Sequence, residues 1–330
     1  MSKSITVKHL GNSDIPVSGI GLGCMGLSEF YGNPVSQKAA DNLITHALES
    51  GLNFFDTADM YGSGHNERLL AHALKGRRKE AVIASKFGIV RKEGEYSRTI
   101  CGAPEYVRQS CHDSLRRLET DYVDLYYIHR IDQSTPIEDT VGEMSRLVEE
   151  GKIRAIGLSE CSASTLRRAH AVHPVSALQS EYSMFTRDPE QEMLGLTREL
   201  GVSFVAYSPI CRGLLGLLKP GEKENDFRQK LPRFHGEAYE KNRGIALELN
   251  ALARSKNCTL AQLSLAWVMA QSENVIPIPG TTKVGNLTAN IGSLAVSLAR
   301  NDLAAIEDIL AEHQVEGDRY TQEGMKGVNV

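Results

Sequence analysis

Short apolar runs, eight in all, alternate along this 330-residue chain with longer amphipathic segments, and the alternation predicts an α/β fold, a (β/α)8 TIM barrel. Two further observations point the same way. Asp56, Lys86 and His129 each stand at the end of a different apolar run, as groups gathered at one mouth of a barrel would. A long polar segment, Ile210–Tyr239, interrupts the repeat late in the chain, and a loop of that length inside a compact domain is usually functional.

A short N-terminal β-hairpin is expected first. The apolar runs then read as buried strands over Gly19–Leu22, Asn53–Phe55, Ala81–Ser85, Val123–Ile128, Ile153–Leu158, Ala177–Gln179, Ser203–Tyr207 and Val275–Ile278. Between them Gln37–Ser50 reads as a helix closed by Gly51, and Pro104–Leu118 and Pro136–Glu150 as helices opened by proline. Ser162–Ala171 carries a serine cap, and Arg187–Leu200 ends at Gly201. Thr282–Ser293 reads as a short extra helix after the last strand, the first of the extra helices expected near the C-terminus. Gly21-Leu22-Gly23-Cys24-Met25-Gly26 has the G-x-G-x-x-G spacing of a doubly wound sheet. No helix follows it at once, since Phe30-Tyr31-Gly32-Asn33-Pro34 reads as loop, so the barrel is preferred. No linker or repeat divides the chain, and residues 1–330 read as one domain with long loops at the C-terminal face of the barrel.

Apolar residues make up 41% of the chain, charged residues 24%, and the net charge is -4. No global positive field would draw nucleic acid or an anionic membrane. The segment Met1–Gly11 lacks a secretory apolar run, and no stretch approaches a membrane span, so a soluble cytoplasmic protein is expected. The six cysteines, Cys24, Cys101, Cys111, Cys161, Cys211 and Cys258, lack metal-site spacing and read as free thiols, with no metal expected.

The chemistry begins with a carboxylate, an ammonium and an imidazole converging from separate strands, with Tyr61 in the loop after Asp56. A tyrosine ordinarily titrates near pH 10. A neighbouring Lys86 would lower that value, and Asp56 would keep the buried lysine charged. His129 could orient a substrate oxygen. The set suits protonation of a carbonyl oxygen as hydride reaches the carbon.

Gly51-Leu52-Asn53-Phe54-Phe55-Asp56-Thr57-Ala58-Asp59-Met60-Tyr61-Gly62, continuing through Asn66-Glu67, resembles the first signature of the aldo-keto reductases. In chain order Ser85-Lys86-Phe87-Gly88, Asp124-Leu125-Tyr126-Tyr127-Ile128-His129-Arg130, Ala206-Tyr207-Ser208-Pro209 and Ile278-Pro279-Gly280-Thr281-Thr282-Lys283 resemble further segments of that family. The resemblance implies Tyr61 as general acid, Lys86 and Asp56 as its tuning pair, and His129 as the group orienting the carbonyl. It also implies an NADP(H) site. Gly23, Cys24 and Met25 would lie on the nicotinamide side with Asp56. Ser159, Glu160 and Gln179 would grip the carboxamide, and Tyr207 would stack on the ring. Ser208, Pro209, Ile210 and Gly213 would line the pyrophosphate. Gly280, Thr282, Lys283, Asn286 and Asn290 would take the adenosine 2′-phosphate and the adenine. Two positions depart from the family pattern: Glu160 replaces the usual asparagine and cannot donate to the carboxamide oxygen, and Ala289 replaces a common glutamate. Gly157-Leu158-Ser159-Glu160, with Leu166–Pro174, resembles the subgroup of perakine reductase and the pyridoxal-reductase-like proteins.

A small carbonyl substrate follows, in a protein that is monomeric or homo-oligomeric. Pocket walls are expected from Phe30, Tyr31, the loop Arg91–Ala103 with Tyr96, Phe227, Phe234 and the tail after His313, and their aromatic content suggests a flat or pyridoxal-like aldehyde. Lys219, Lys223, Arg228, Lys230 and Arg233 give the long segment its basic character. Two rivals remain. An NADPH-binding redox sensor, like the potassium-channel β subunits, would keep the cofactor with little turnover. A Schiff-base aldolase would use Lys86 as nucleophile, against which stands the adjacent Asp56.

Overall fold

The computed structural model describes residues 5–91, 99–218 and 225–330. A hairpin opens it, β1 (Val7–His9) paired antiparallel with β2 (Pro16–Ser18). Then come β3 (Leu22–Gly23), α1 (Gln37–Glu49), β4 (Phe54–Asp56), α2 (His65–Ala73) and β5 (Val82–Phe87). A small ribbon, β6 (Ile89–Val90) with β7 (Thr99–Ile100), precedes α3 (Pro104–Leu118), β8 (Val123–Ile128), α4 (Ile137–Glu149), β9 (Ile153–Ser159) and α5 (Ala163–Val172). The last part holds β10 (Val175–Glu181), α6 (Met193–Glu199), β11 (Ser203–Tyr207), α7 (Gly236–Ser255), α8 (Leu260–Ala270), β12 (Val275–Pro277), α9 (Val284–Gly292) and α10 (Arg300–Glu312).

Eight strands form one parallel sheet in the order β3-β4-β5-β8-β9-β10-β11-β12. Its edges meet. Gly23 bridges Gly280, the Gly21 N–H donates to the Pro277 carbonyl at 2.9 Å, and the Gly23 N–H donates to the Pro279 carbonyl at 3.3 Å. The expected barrel is thereby closed, which leaves no main-chain edge open. Strand side chains alternate between two cores. Phe54, Val82, Ala84, Leu125, Tyr127, Ala155, Ala177, Val205 and Ile276 fill the interior, joined by Leu10, Ile15 and Val17 of the hairpin region. Phe55, Ile83, Tyr126, Ile128, Ile156, Leu158, Leu178 and Phe204 point outward and pack with the apolar faces of the helices.

Local signals explain most element ends. Ser36 and Ser162 accept from the main-chain N–H groups of Ala39 and Thr165 as N-caps. Gly51, at φ +84°, turns the chain out of α1 into β4. The first strand sits later than the Gly19–Leu22 expected, at Leu22–Gly23, although the Gly21 N–H already joins the closing seam at the Pro277 carbonyl. The strand expected at Ala81–Ser85 runs on to Phe87, so Lys86 lies inside it. The helix expected over Arg187–Leu200 is split. A 3-10 turn at Asp188–Glu190, led by Pro189, gives way at Glu192 (φ -144°), and α6 starts at Met193. The segment expected as a loop over Ile210–Tyr239 holds 3-10 turns at Cys211–Gly216, Phe227–Lys230 and Pro232–Phe234 and becomes α-helical at Gly236.

One barrel glycine is a packing requirement. A Cβ on Gly157 would lie 2.3 Å from the ring of the fully buried Tyr127. Gly157→Ala is therefore expected to lower stability by about 1–3 kcal/mol, the usual cost of overpacking. Urea unfolding of the variant beside the wild type measures it.

Candidate active site

The interior positions of successive strands become polar at the C-terminal mouth. Asp56 is the last residue of β4, Lys86 the fifth of β5 and Gln179 the fifth of β10, and His129 follows β8 directly. Lys86 is fully buried. Its Nζ donates to Asp56 Oδ1 at 2.5 Å, to the Thr57 carbonyl at 2.8 Å and to Tyr61 Oη at 3.3 Å. Gln179 Nε2 reaches across the barrel to Asp56 Oδ2 at 2.7 Å. The His129 ring stands edge-on to Tyr61, with centroids 5.8 Å apart and planes at 84°. Asp56, Tyr61, Lys86 and His129, proposed from sequence as one set, are thus brought together.

The loop that carries Tyr61 is fixed from behind. Thr57 Oγ1 donates to Asn66 Oδ1 at 2.7 Å, while Asn66 Nδ2 donates to the Cys24 carbonyl at 2.9 Å and to Ser28 Oγ at 2.7 Å. Glu67 accepts from Ser85 Oγ at 2.6 Å and from Arg117 Nε. The buried Asn66-Glu67 pair therefore holds the Tyr61 loop against the strands.

Burial opposes both charges of the central pair. It pushes the Lys86 ammonium down and the Asp56 carboxyl up, and each partner's charge resists the other's shift. Tyr61 corrects an expectation. Burial, reinforced by the Asp56 charge, pushes its phenol well above the ordinary tyrosine range instead of below it. Desolvation of the phenolate outweighs the nearby ammonium, whose charge Asp56 already balances.

The residues proposed for a cofactor form an arc around the same mouth. Gly23 and Cys24 lie at the end of β3 with Met25 beyond, and Ser159 ends β9. Tyr207 ends β11, and Ser208 and Pro209 follow, the Pro209 carbonyl accepting from Ser264 Oγ at 2.7 Å. Past Ile210 the backbone is left-handed at three successive residues, Cys211 (φ 46°), Arg212 (φ 51°) and Gly213 (φ 97°). Such conformations cost about 1–3 kcal/mol each at non-glycine residues and concentrate where backbone must face a ligand. Gly280 lies against Gly23, where a Cβ would meet the carbonyl of Gly23 at 3.2 Å. Thr282, Lys283 and Asn286 are exposed at the N-terminal end of α9, and Asn290 is buried one turn on. A cation at a helix N-terminus and a left-handed loop are features that suit the phosphates of a dinucleotide. Two thiols in this region are inert by burial, which pushes both Cys24 and Cys161 up, the latter to about 12.

Glu160 is where geometry adds most to the sequence. Its backbone is left-handed (φ 55°) and its carboxylate is buried. Oε2 accepts from Arg319 Nη2 at 2.9 Å, and Oε1 accepts from Arg319 Nη1 at 3.2 Å and from the Glu181 N–H at 2.9 Å. The carboxylate expected to accept from a carboxamide is occupied by the C-terminal tail. Next in that tail, Tyr320 places its hydroxyl 3.0 Å from that of Tyr207, and Arg212 lies over its ring at 4.5 Å. Arg212 is in turn paired with Glu181 at 2.6 Å.

The expected pocket walls are met in part. Phe30 and Phe227 contact edge to face at 5.3 Å, Tyr31 bridges Asp226, and the tail after His313 reaches Tyr207. Phe234 is packed into the outer core instead, against the start of α7. Tyr96, Lys219 and Lys223 lie outside the described residues. Arg319 and Glu160 were not foreseen as a pair, and no local pattern could have joined residues so far apart.

Comparison with known proteins agrees with this geometry. Residues 19–311 match the family model described as "Aldo/keto reductase family", and the chain belongs to that family. Membership brings nicotinamide-dependent carbonyl reduction. The chain is 48% identical over 314 residues to a protein named "Probable aldo-keto reductase 1" from Glycine max, covering 94% of this chain and 90% of that one. It also resembles the solved structure of a glycerol dehydrogenase from Gluconobacter oxydans, with a TM-score of 0.85 and 29% identity, covering 96% of this chain and 98% of that one. An aldo-keto reductase from Bacillus halodurans in its holo form matches with a TM-score of 0.78 and 28% identity, covering 97% and 99%. No helix among the described residues is long and apolar enough to cross a membrane.

Removing one partner of the Glu160–Arg319 pair strands a buried charge, which costs about 3–5 kcal/mol. Arg319→Met is expected to approach that loss, and the double variant Glu160→Gln/Arg319→Met to lose less, because the Glu160 charge goes with its partner. A double-mutant cycle in urea unfolding measures both.

Proposed function

We propose that this chain reduces an aldehyde or ketone to the alcohol with NADPH, and that Tyr61 gives the proton to the carbonyl oxygen. The observation that carries the reading is the contact of Tyr61 Oη with the buried Lys86 ammonium at 3.3 Å. The nicotinamide cofactor would supply the hydride. Tyr61 keeps its proton at any physiological pH, since its phenol is held well above the ordinary range. It yields that proton only to an oxygen on which negative charge is developing. Lys86 then faces the phenolate and stabilises it, and Asp56 keeps the lysine charged for that purpose. His129, edge-on to Tyr61, holds the substrate oxygen in place. A lysine so tightly paired makes a poor Schiff-base nucleophile, which weighs against an aldolase.

For the cofactor, Gly23, Cys24, Met25, Ser159 and Gln179 would face the nicotinamide and Tyr207 would stack on it. Ser208, Pro209, Ile210 and Gly213 would follow the pyrophosphate. Gly280, Thr282, Lys283, Asn286 and Asn290 would take the adenosine end, and Lys283 favours a 2′-phosphate and hence NADPH over NADH. Glu160 acts through Arg319, fastening the tail over the nicotinamide side. The aromatic rim of Phe30, Tyr31, Phe227 and Tyr320 suits a flat aldehyde, a pyridoxal-like ring included.

Tyr61→Phe is expected to lower kcat for aldehyde reduction by about 10²–10⁴-fold while leaving the affinity for NADPH in place. Following NADPH absorbance with pyridoxal and nitrobenzaldehyde tests the first part, and fluorescence titration of NADPH the second. Full turnover by the variant would remove Tyr61 from the mechanism. Tight NADPH binding with no turnover of any carbonyl by the wild type would favour a cofactor-binding sensor. Lys283→Met is expected to weaken NADPH binding about tenfold or more, the worth of a charge-assisted contact, and to leave NADH unaffected.

A further inference from the structure

Buried charges around the mouth of the barrel come in pairs. Lys86 faces Asp56, Arg212 faces Glu181, Arg228 faces Asp226 and Arg319 faces Glu160. Arg130 breaks the rule. It is 5% exposed, and no carboxylate among the described residues forms an ion pair with it. Its Nη1 donates to the His129 carbonyl at 2.8 Å and approaches Ser159 Oγ at 3.5 Å. Its Nε is buried without an acceptor. The tail covers the aliphatic stem, where a Cβ on Gly327 would lie 3.3 Å from Arg130 Cβ. The guanidinium head lies on the His129–Ser159 side, and its charge acts on Tyr61, Lys86, Tyr207 and Glu160.

The Glu160 charge reaches Arg130, but its carboxylate oxygens are taken by Arg319 and the Glu181 N–H, so the buried Nε donor is left unmet, which is costly. An oxyanion would meet it. With Nη1 engaged, the edge made by Nε and Nη2 remains, and that edge takes a carboxylate or phosphate through two parallel hydrogen bonds. Arg130 also directly follows the residue proposed to hold the carbonyl oxygen. We infer that Arg130 receives an anionic group of the substrate, so that the preferred substrates are carbonyl compounds carrying a carboxylate or a phosphate. The inference rests on the reductase reading and names the substrate class for the same site.

The test compares matched charged and neutral carbonyl compounds: para-carboxybenzaldehyde against its methyl ester, and pyridoxal phosphate against pyridoxal. The wild type is expected to favour the charged member of at least one pair by about tenfold or more in kcat/KM. Which pair shows it separates a carboxylate from a phosphate site. Arg130→Gln should erase the preference, and Arg130→Lys should keep part of it. Benzoate or inorganic phosphate should compete with the carbonyl substrate in the wild type and not in Arg130→Gln. A wild type without preference in either pair overturns the inference while leaving the reductase reading intact. So does an Arg130→Gln variant that loses both members of a pair equally. If no carbonyl compound is reduced, the reductase reading fails. Thermal shift with benzoate and phosphate, wild type against variant, then decides whether Arg130 binds an anion at all. Should Arg130→Gln not fold, the wild-type preference and the lysine variant decide.

Discussion

Everything at the mouth of this barrel depends on one fully buried ammonium. Lys86 could not keep its charge there alone, because desolvation works against it. Asp56 from the neighbouring strand supplies the opposite charge at 2.5 Å, and the Thr57 carbonyl and Tyr61 Oη take the remaining donor directions. Gln179, on a strand across the barrel, holds the second oxygen of Asp56. The pair thus requires closure of the sheet, and the geometry of Tyr61 requires the pair.

The same period of two that builds the core builds the site. On β4 the inward residues run Phe54, Asp56, on β5 Val82, Ala84, Lys86, and on β8 Leu125, Tyr127, then His129. β9 gives Ala155, Gly157, Ser159 and β11 gives Val205, Tyr207. Each file starts apolar and ends with a polar group at the C-terminal end. This is why the strands, the barrel and the gathering of Asp56, Lys86 and His129 were legible in the sequence: an apolar run that ends in a polar residue is a local pattern, repeated.

What the sequence did not disclose depends on distance or burial. Glu160 and Arg319 are 159 residues apart, and no spacing announces that they meet. The direction in which Tyr61 shifts turns on how completely the loop 57–67 and the tail exclude water, which composition does not carry. α8 was missed for a different reason. Its Leu260–Ala270 sequence is apolar nearly all round, and periodicity cannot separate such a segment from a buried strand. Arg130 was visible beside His129, but its unmet Nε donor appears only when the pairings of its neighbours are known.

Strand ends hold the groups proposed to react, while the tail is fastened beside them by Arg319 to Glu160 and by Tyr320 to Tyr207. The most direct test of the account is the ionisation of Tyr61 itself. In protein with carbon-13 at the tyrosine Cζ, the resonance absent from Tyr61→Phe identifies this residue. The account predicts the shift of a neutral phenol up to about pH 10 and beyond, past the ordinary tyrosine midpoint. A resonance already that of a phenolate near neutral pH would contradict it, and Lys86 would then have to be lowering the phenol as the sequence alone suggested.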